Sequence, residues 1–260
     1  MPTDEIADAI DKIINDFGNN IDEVFRKVGL LINEWMINNN INTATSLTFD
    51  KAFNDMLYKA GYYDLVNKFI DDDYDKLLPL LQNEFTTLGL IGSSITFNKA
   101  NLENIMAIKA LDVDKFSIMS STASRTLRES LTKYAISNYS EVAIMESLQE
   151  ELKGTSLYKH SKTIADSSIS EFNQAVINMK AAEYEGEKVY WYKGKRIDEK
   201  TRDFCKCVIR NNAYYTEDEA HRIEKNPKRK YNCRHRVVFG TLDYAKEYLG
   251  LEKNTGGVCS

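Results

Sequence analysis

Between residues 189 and 240 the chain gathers three of its four cysteines (Cys205, Cys207, Cys233) and two of its three histidines (His221, His235) into one basic stretch. The pairs are tightly spaced: Cys205-x-Cys207 near one end and Cys233-x-His235 near the other. In an extended strand, side chains two apart share a face, so each pair would aim both donor atoms the same way. Three sulfurs and one imidazole brought together would form the tetrahedral donor set of structural Zn2+. The spacing is tighter than the common C-x2-C, whose two-residue turn lets both thiolates converge. A second reading makes Cys205 and Cys233 small buried hydrophobes under a hairpin, and a third is a disulfide. His221, inside the polar run TEDEAHRIEK, is either a substitute for Cys207 as ligand or a residue of a solvated helix.

Upstream of that stretch the pattern is helical. Ile6, Ile10, Ile13, Ile14 and Phe17 recur at helical spacing after Thr3-Asp4-Glu5, whose carboxylates suit a helix start. A second register through Ile21, Val24, Phe25, Val28, Leu31 and Trp35 follows a break expected at Gly18-Asn19-Asn20. Residues 38–42 read as a turn-prone linker. The next helix follows Thr48, buries Phe49, Phe53, Met56 and Leu57, and stops at Gly61. Residues 62–88 continue in helix, with Pro79 kinking it or opening a new one. After an interruption at 89–94, helices are expected over 98–111, 114–136, 139–152 and 159–184, with Gly154 as a C-cap. Gly186 marks the change to strands: 188–192, a Lys193-Gly194 turn, a pairing strand over 234–239 and a closing helix over 243–249. The expected fold class is mainly α. A multi-helix body (1–154) precedes a small α+β module with a Cys/His-stapled β-hairpin (155–250) and a flexible tail (251–260).

With 260 residues, 43% of them hydrophobic, the chain can bury a core as one or two domains. No apolar run approaches the ~20 residues that span a bilayer, so no membrane partner is expected. The acidic, amphipathic start lacks the pattern of a secretory signal. Four cysteines in so long a chain do not make a disulfide scaffold. A reducing cytoplasm is the simpler compartment, and Cys259, in a Gly-rich tail, reads as an exposed thiol. Charge is unevenly spread. Residues 187–240 hold fifteen Lys/Arg against eight Asp/Glu, a net of +7, leaving −12 for the rest of a chain at −5. A basic module on an acidic body points to phosphate or an acidic protein surface, although charge runs also serve to solvate a face. Lys228, Arg229 and Lys230 on a Pro-led loop are the candidate phosphate contacts, with Arg234 and Arg236 alternating with the Cys/His face.

The same residues carry a resemblance. Arg202-x-Phe204-Cys205, then Tyr215-Thr216-Glu217 ahead of a charged helix, then Tyr231-Asn232-Cys233-Arg234-His235-Arg236 are similar to the C-terminal domain of the Mu F-like phage minor head proteins, the head-morphogenesis family. Further upstream, the run from His160 to Ser167 and on through Asn173-Gln174-Ala175 resembles that family's helix leading into a Trp strand, here Tyr190-Trp191-Tyr192. The similarity covers about residues 155 to 240. Two positions depart from it: the family often has Arg where Asp166 stands, and many members have Cys where His235 stands. The resemblance implies a non-enzymatic minor capsid protein of a tailed phage. Such a protein would lie inside the virion head near the portal protein, in contact with other capsid proteins and genomic double-stranded DNA. It would assist head assembly and DNA packaging or ejection, and occupy the host cytoplasm during assembly.

Other features carry less. The carboxylates of Asp71-Asp72-Asp73 point different ways on a helix, and Gly89-x-x-Gly92 lacks the Lys-Ser/Thr of a phosphate loop. His160 has no cysteine or carboxylate pattern around it. The alternative function is a zinc-containing, metal-dependent nuclease or a DNA-binding module. A nuclease needs a general base and an open metal position. His221 and the carboxylates at 217–219 are the nearby candidates, and four closed Cys/His ligands would leave no open position. No helix-turn-helix signature supports a regulator.

Overall fold

Apolar residues at three- and four-residue spacing govern the chain as far as Glu183, and among the described residues the computed structural model is mainly helical to that point. A small four-stranded mixed sheet follows. The structure describes residues 4–39, 41–90, 96–137, 139–194, 199, 201–227, 235–257 and 259. The helices in order are α1 (Glu5–Asn38), α2 (Thr43–Leu47), α3 (Phe49–Ala60) and α4 (Tyr62–Asn67), which runs into a π-helical turn (Lys68–Asp73). Then come α5 (Leu77–Thr87), α6 (Lys99–Ile136), α7 (Glu141–Gly154) and α8 (Ser156–Glu183). The remaining elements are β1 (Lys188–Gly194), α9 (Asp203–Arg210), β2 (Ala213–Tyr215), α10 (Glu217–Lys225), β3 (His235–Thr241), a π-helical turn (Tyr244–Tyr248) and β4 (Glu252–Lys253).

Several boundaries fall where local chemistry puts them. Gly61 ends α3 in the left-handed region at φ 85°, which glycine adopts without strain. Pro79 is the third residue of α5, inside the first turn, where its missing N–H has no intrahelical partner to lose. The expected break at Gly18-Asn19-Asn20 does not occur, since α1 runs through it. A Cβ at Gly18 would come within 2.8 Å of Lys162 Nζ, so this glycine makes room for a crossing side chain. Similarly α6 unites the two helices expected over 98–136. Gly154 closes α7 as its last residue, and the cap is Thr155 in extended backbone.

The chain forms two compact units that alternate along the sequence: residues 13–73 with 109–165, and residues 1–12 with 74–108 and 166–260. The division expected at 154/155 therefore differs from the one observed. In the first unit, Phe17 meets Phe69 and Phe116 at ring separations of 4.8 and 5.8 Å. Trp35 stands edge-on to Phe49 at 5.1 Å. Asp50 of α3 accepts a hydrogen bond from Ser124 Oγ at 2.9 Å and pairs with Arg128, both on α6.

The second unit carries the sheet, in the order β3-β1-β2-β4. Central β1 is antiparallel to both β3 and β2, and β4 runs parallel to β2. The β1–β3 ladder takes in Lys193 and Gly194, so the turn expected there is strand. Its register opposes Tyr192 to Val237 and Lys193 to Arg236. Tyr190, Tyr192, His235, Val237 and Phe239 consequently share one face, and Trp191, Lys193, Arg236, Val238 and Gly240 the other. Residues 235–240 are all buried, so β3 is covered on both faces. Phe239 packs among Phe85, Tyr184 and Tyr190 at 5.9, 6.1 and 6.4 Å. On the outer edge of β3, the Gln174 amide of α8 does the work of a neighbouring strand. Its Nε2 donates to Val237 O at 2.9 Å and its Oε1 accepts from Val237 N at 3.0 Å.

Lys180, on the buried stripe of α8, is fully enclosed. Its ammonium donates to Thr96 O (2.6 Å), Asn101 Oδ1 (2.9 Å) and Glu183 Oε2 (2.7 Å). A buried charge survives only when paired and hydrogen-bonded in this way. Burial pushes the Glu183 carboxyl up, but hydrogen bonds from Lys180 and Asn101 and the Lys180 charge outweigh it. The net result lies below the ordinary carboxylate range.

Gly240 permits the closest approach in this unit. A Cβ there would lie 2.6 Å from the Trp191 ring and 3.0 Å from Leu88 O, and the latter is backbone that cannot swing aside. Overpacking of this kind typically costs about 1–3 kcal/mol. Gly240→Ala should therefore lower stability by that amount in chemical denaturation, whereas Gly256→Ala, with open space around it, should leave the midpoint unchanged.

Candidate functional site

The sequence DFCKCVIR builds α9 rather than a strand. Asp203 sits in the first turn, where a carboxylate suits the helix dipole. Phe204, Cys205 and Val208 form a buried stripe at helical spacing. Residues two apart on a helix diverge by roughly 200°, so Cys205 and Cys207 face opposite ways. The common strand face expected for Cys205-x-Cys207 is thereby corrected. Cys205 is a buried thiol whose Sγ lies 3.2 Å from Tyr192 Oη. The Tyr192 ring stacks on the buried His235 imidazole at 5.5 Å. Cys205 and His235 thus both touch one tyrosine.

Cys207 points outward and is joined to Cys259 in a disulfide, with Cα atoms 6.2 Å apart. This corrects two expectations at once. Cys207 has no thiolate to offer a metal, and Cys259 is not an exposed thiol. The tail expected to be flexible instead contributes β4, with Asn254 N donating to Tyr214 O at 3.0 Å. The bond joins residues with a sequence separation of 52. The candidate ligand Cys233 lies outside the described residues, as do Lys228, Arg229, Lys230 and Arg234. Among the described residues no group of three or more His, Cys, Asp or Glu side chains is placed to hold a metal. With Cys207 bound to Cys259, the four-ligand set Cys205, Cys207, Cys233 and His235 is not available as expected.

Arg236 is corrected more sharply. Expected to point outward toward phosphate, it is 4% exposed, because β3 is covered on both faces. Its Nη1 donates to Asp4 Oδ2 at 2.8 Å and its Nη2 to Glu84 Oε1 at 2.6 Å. Lys193, directly across the ladder, also pairs with Glu84 Oε1. Two cations and two carboxylates make a locally neutral cluster. Glu84 was legible in principle: Leu77, Leu81, Glu84 and Phe85 are the buried positions of α5, so a carboxylate lies on an apolar stripe.

Of the nuclease candidates, Glu219 is engaged in the fold. His221 is exposed on α10. Glu219 closes the capping box of that helix, accepting from Thr216 N at 2.9 Å and from Asn254 Nδ2 at 2.7 Å. Burial raises its pKa, but these hydrogen bonds outweigh it and hold the carboxyl below its ordinary range. Glu224 accepts from Gln174 and Asn178 of α8. His160 is exposed, as expected. No protein-family model matches this chain, and neither a curated protein nor a solved structure matches it.

Removing one partner of a buried ion pair leaves uncompensated charge and costs about 3–5 kcal/mol. Arg236→Met should lose stability on that scale in urea denaturation. Arg222→Met, at an exposed position of α10, should shift the midpoint by less than about 0.5 kcal/mol.

Proposed function

We propose that the chain is a minor head protein of a tailed phage, working inside the capsid near the portal during head assembly and DNA packaging or ejection. One observation supports the reading: among the described residues, several of those that resemble the Mu F-like proteins lie together on the sheet and its adjoining helices. Tyr190, Trp191 and Tyr192 lie on central β1, Phe204 and Cys205 form the buried side of α9, and Tyr215 is buried in β2. Thr216 caps α10, and His235 opens β3 against Tyr192. Unrelated motif matches scattered over a surface would not converge in this way. The helical remainder supplies the docking surface for the portal, and the basic charge of residues 187–240 meets DNA backbone.

With Arg236 enclosed in ion pairs, the phosphate contacts fall to Lys228, Arg229, Lys230 and Arg234. Such contacts are independent of sequence and weaken with salt. Replacing Lys228, Arg229 and Lys230 by Gln should weaken binding equally across DNA sequences and reduce the salt slope by about three. Mass spectrometry of purified particles tests the function itself. The protein should be present at low copy number, and its absence from particles that contain portal would overturn the reading.

A zinc site belongs to the same reading in reduced form, drawing on Cys205, Cys233 and His235. Zinc would lend the module a rigid anchor. Elemental analysis after chelator-free purification should show metal lost in Cys205→Ser and retained in Cys207→Ser. Loss in both, or in neither, counts against this ligand set.

A further inference from the structure

The segment that carries Cys259 is lightly held. Gly250 N donates to Lys246 O at 3.2 Å and Leu251 N to Ala245 O at 2.9 Å, both in the preceding turn; beyond that, the two-residue β2–β4 ladder is flanked by Glu252 N to Asn212 O at 3.5 Å and Asn254 N to Tyr214 O at 3.0 Å. Side chains add Asn212 Nδ2 to Gly250 O at 3.5 Å and Asn254 Nδ2 to Glu219 Oε1 at 2.7 Å. Of the four contacts to residues 212–219, two lie at the limit of a useful hydrogen bond. Glu252 and Lys253 are exposed, so β4 buries no apolar side chain against β2. By contrast, β1 and β3 are paired over seven residues and buried throughout their common core. The covalent bond therefore ties down the Cys259 end of a segment otherwise held to β2 by a two-residue ladder and these contacts.

We propose that the Cys207–Cys259 disulfide is a redox latch. Closed, it straps the segment along the outer edge of β2; opened, it releases the segment and leaves that edge unpaired, while the β1–β3 ladder stays intact. The inference stands on the disulfide and on β4, and does not depend on the head-protein reading.

The chemistry is thiol–disulfide exchange with a dithiol reductant. Its thiolate attacks the Sγ of Cys207, which lies on the exposed side of α9, and a mixed disulfide forms. The S–S bond breaks and Cys259 leaves as a thiolate. The Asn211 amide, with Nδ2 at 3.6 Å from Cys259 Sγ, is placed to donate to that sulfur. The second thiol of the reductant then attacks its own mixed disulfide and frees Cys207. Two electrons and two protons pass to the protein, and the reductant leaves as a disulfide. Closure is the reverse exchange with a disulfide oxidant.

Hydrogen–deuterium exchange on the whole chain tests the latch, comparing oxidised protein, dithiothreitol-treated protein, and the Cys207→Ser and Cys259→Ser variants. Amides of 252–254 and 212–215 should exchange about tenfold faster or more once the bond is gone, as expected of local opening. Those of 188–194 and 235–241 should be unchanged, and both variants should match the reduced state with or without dithiothreitol. Equal exchange in oxidised and reduced protein would mean β4 holds unaided, and the latch would be refuted. A rise that spreads through β1 and β3 would refute it too, by making the bond a staple of the whole unit. Thiol titration of the denatured, air-oxidised chain should find two free cysteines, and finding all four free would equally overturn it.

Discussion

The sheet-bearing unit depends on one carboxylate, Glu84. Lys193 and Arg236 stand directly opposite each other in the β1–β3 ladder, an arrangement that like charges disfavour. Glu84 Oε1 accepts from both, and Asp4 takes the second arm of the Arg236 guanidinium. The ladder could not keep this register around two unneutralised cations. In turn, the register decides which residues face which way, setting Tyr192 and His235 on the side away from the charges. Burying such a cluster gains little net stability, because desolvation offsets most of the attraction. Its effect is on geometry: α5 and the first turn of α1 are drawn to β3, so a unit whose sheet lies after residue 187 must include residues from the start of the chain.

That dependence explains what the sequence disclosed and what it withheld. Local chemistry was legible. The stripe Phe49, Phe53, Met56 and Leu57 with a stop at Gly61 gave α3, and the aromatic run before Lys193 pairs with residues 235–241 much as its alternation suggests. Readings failed where distant partners override a local cue. Gly18 looks like a break until Lys162 is seen crossing it. Arg236 looks like a solvent-facing cation until Glu84 and Asp4 arrive from more than a hundred residues away.

The cysteines show the same divide in sharper form. Period-two spacing suits a strand, yet the intervening Lys206 and the flanking Phe204 and Val208 fit a helical stripe equally well, and the helix prevailed. Nothing adjacent to Cys259 signals a partner 52 residues earlier. What survives of the expected cluster is a smaller constellation, with Cys205 and His235 both in contact with Tyr192. The basic charge is likewise smaller in effect than its count suggests, since Arg236 and Lys193 are spent on Glu84.

The Gln174 amide on β3 has a consequence for crowding. A sheet edge with open peptide groups is a template on which a neighbouring chain can add a strand, and then another. At the middle of β3 the position such a strand would take is filled by a side chain that bonds both backbone groups of Val237. At the opposite border β4 is only two residues long, too short to nucleate further pairing. Copies held at high local concentration can therefore lie side by side without fusing into a shared sheet, and growth by strand addition is terminated within each molecule.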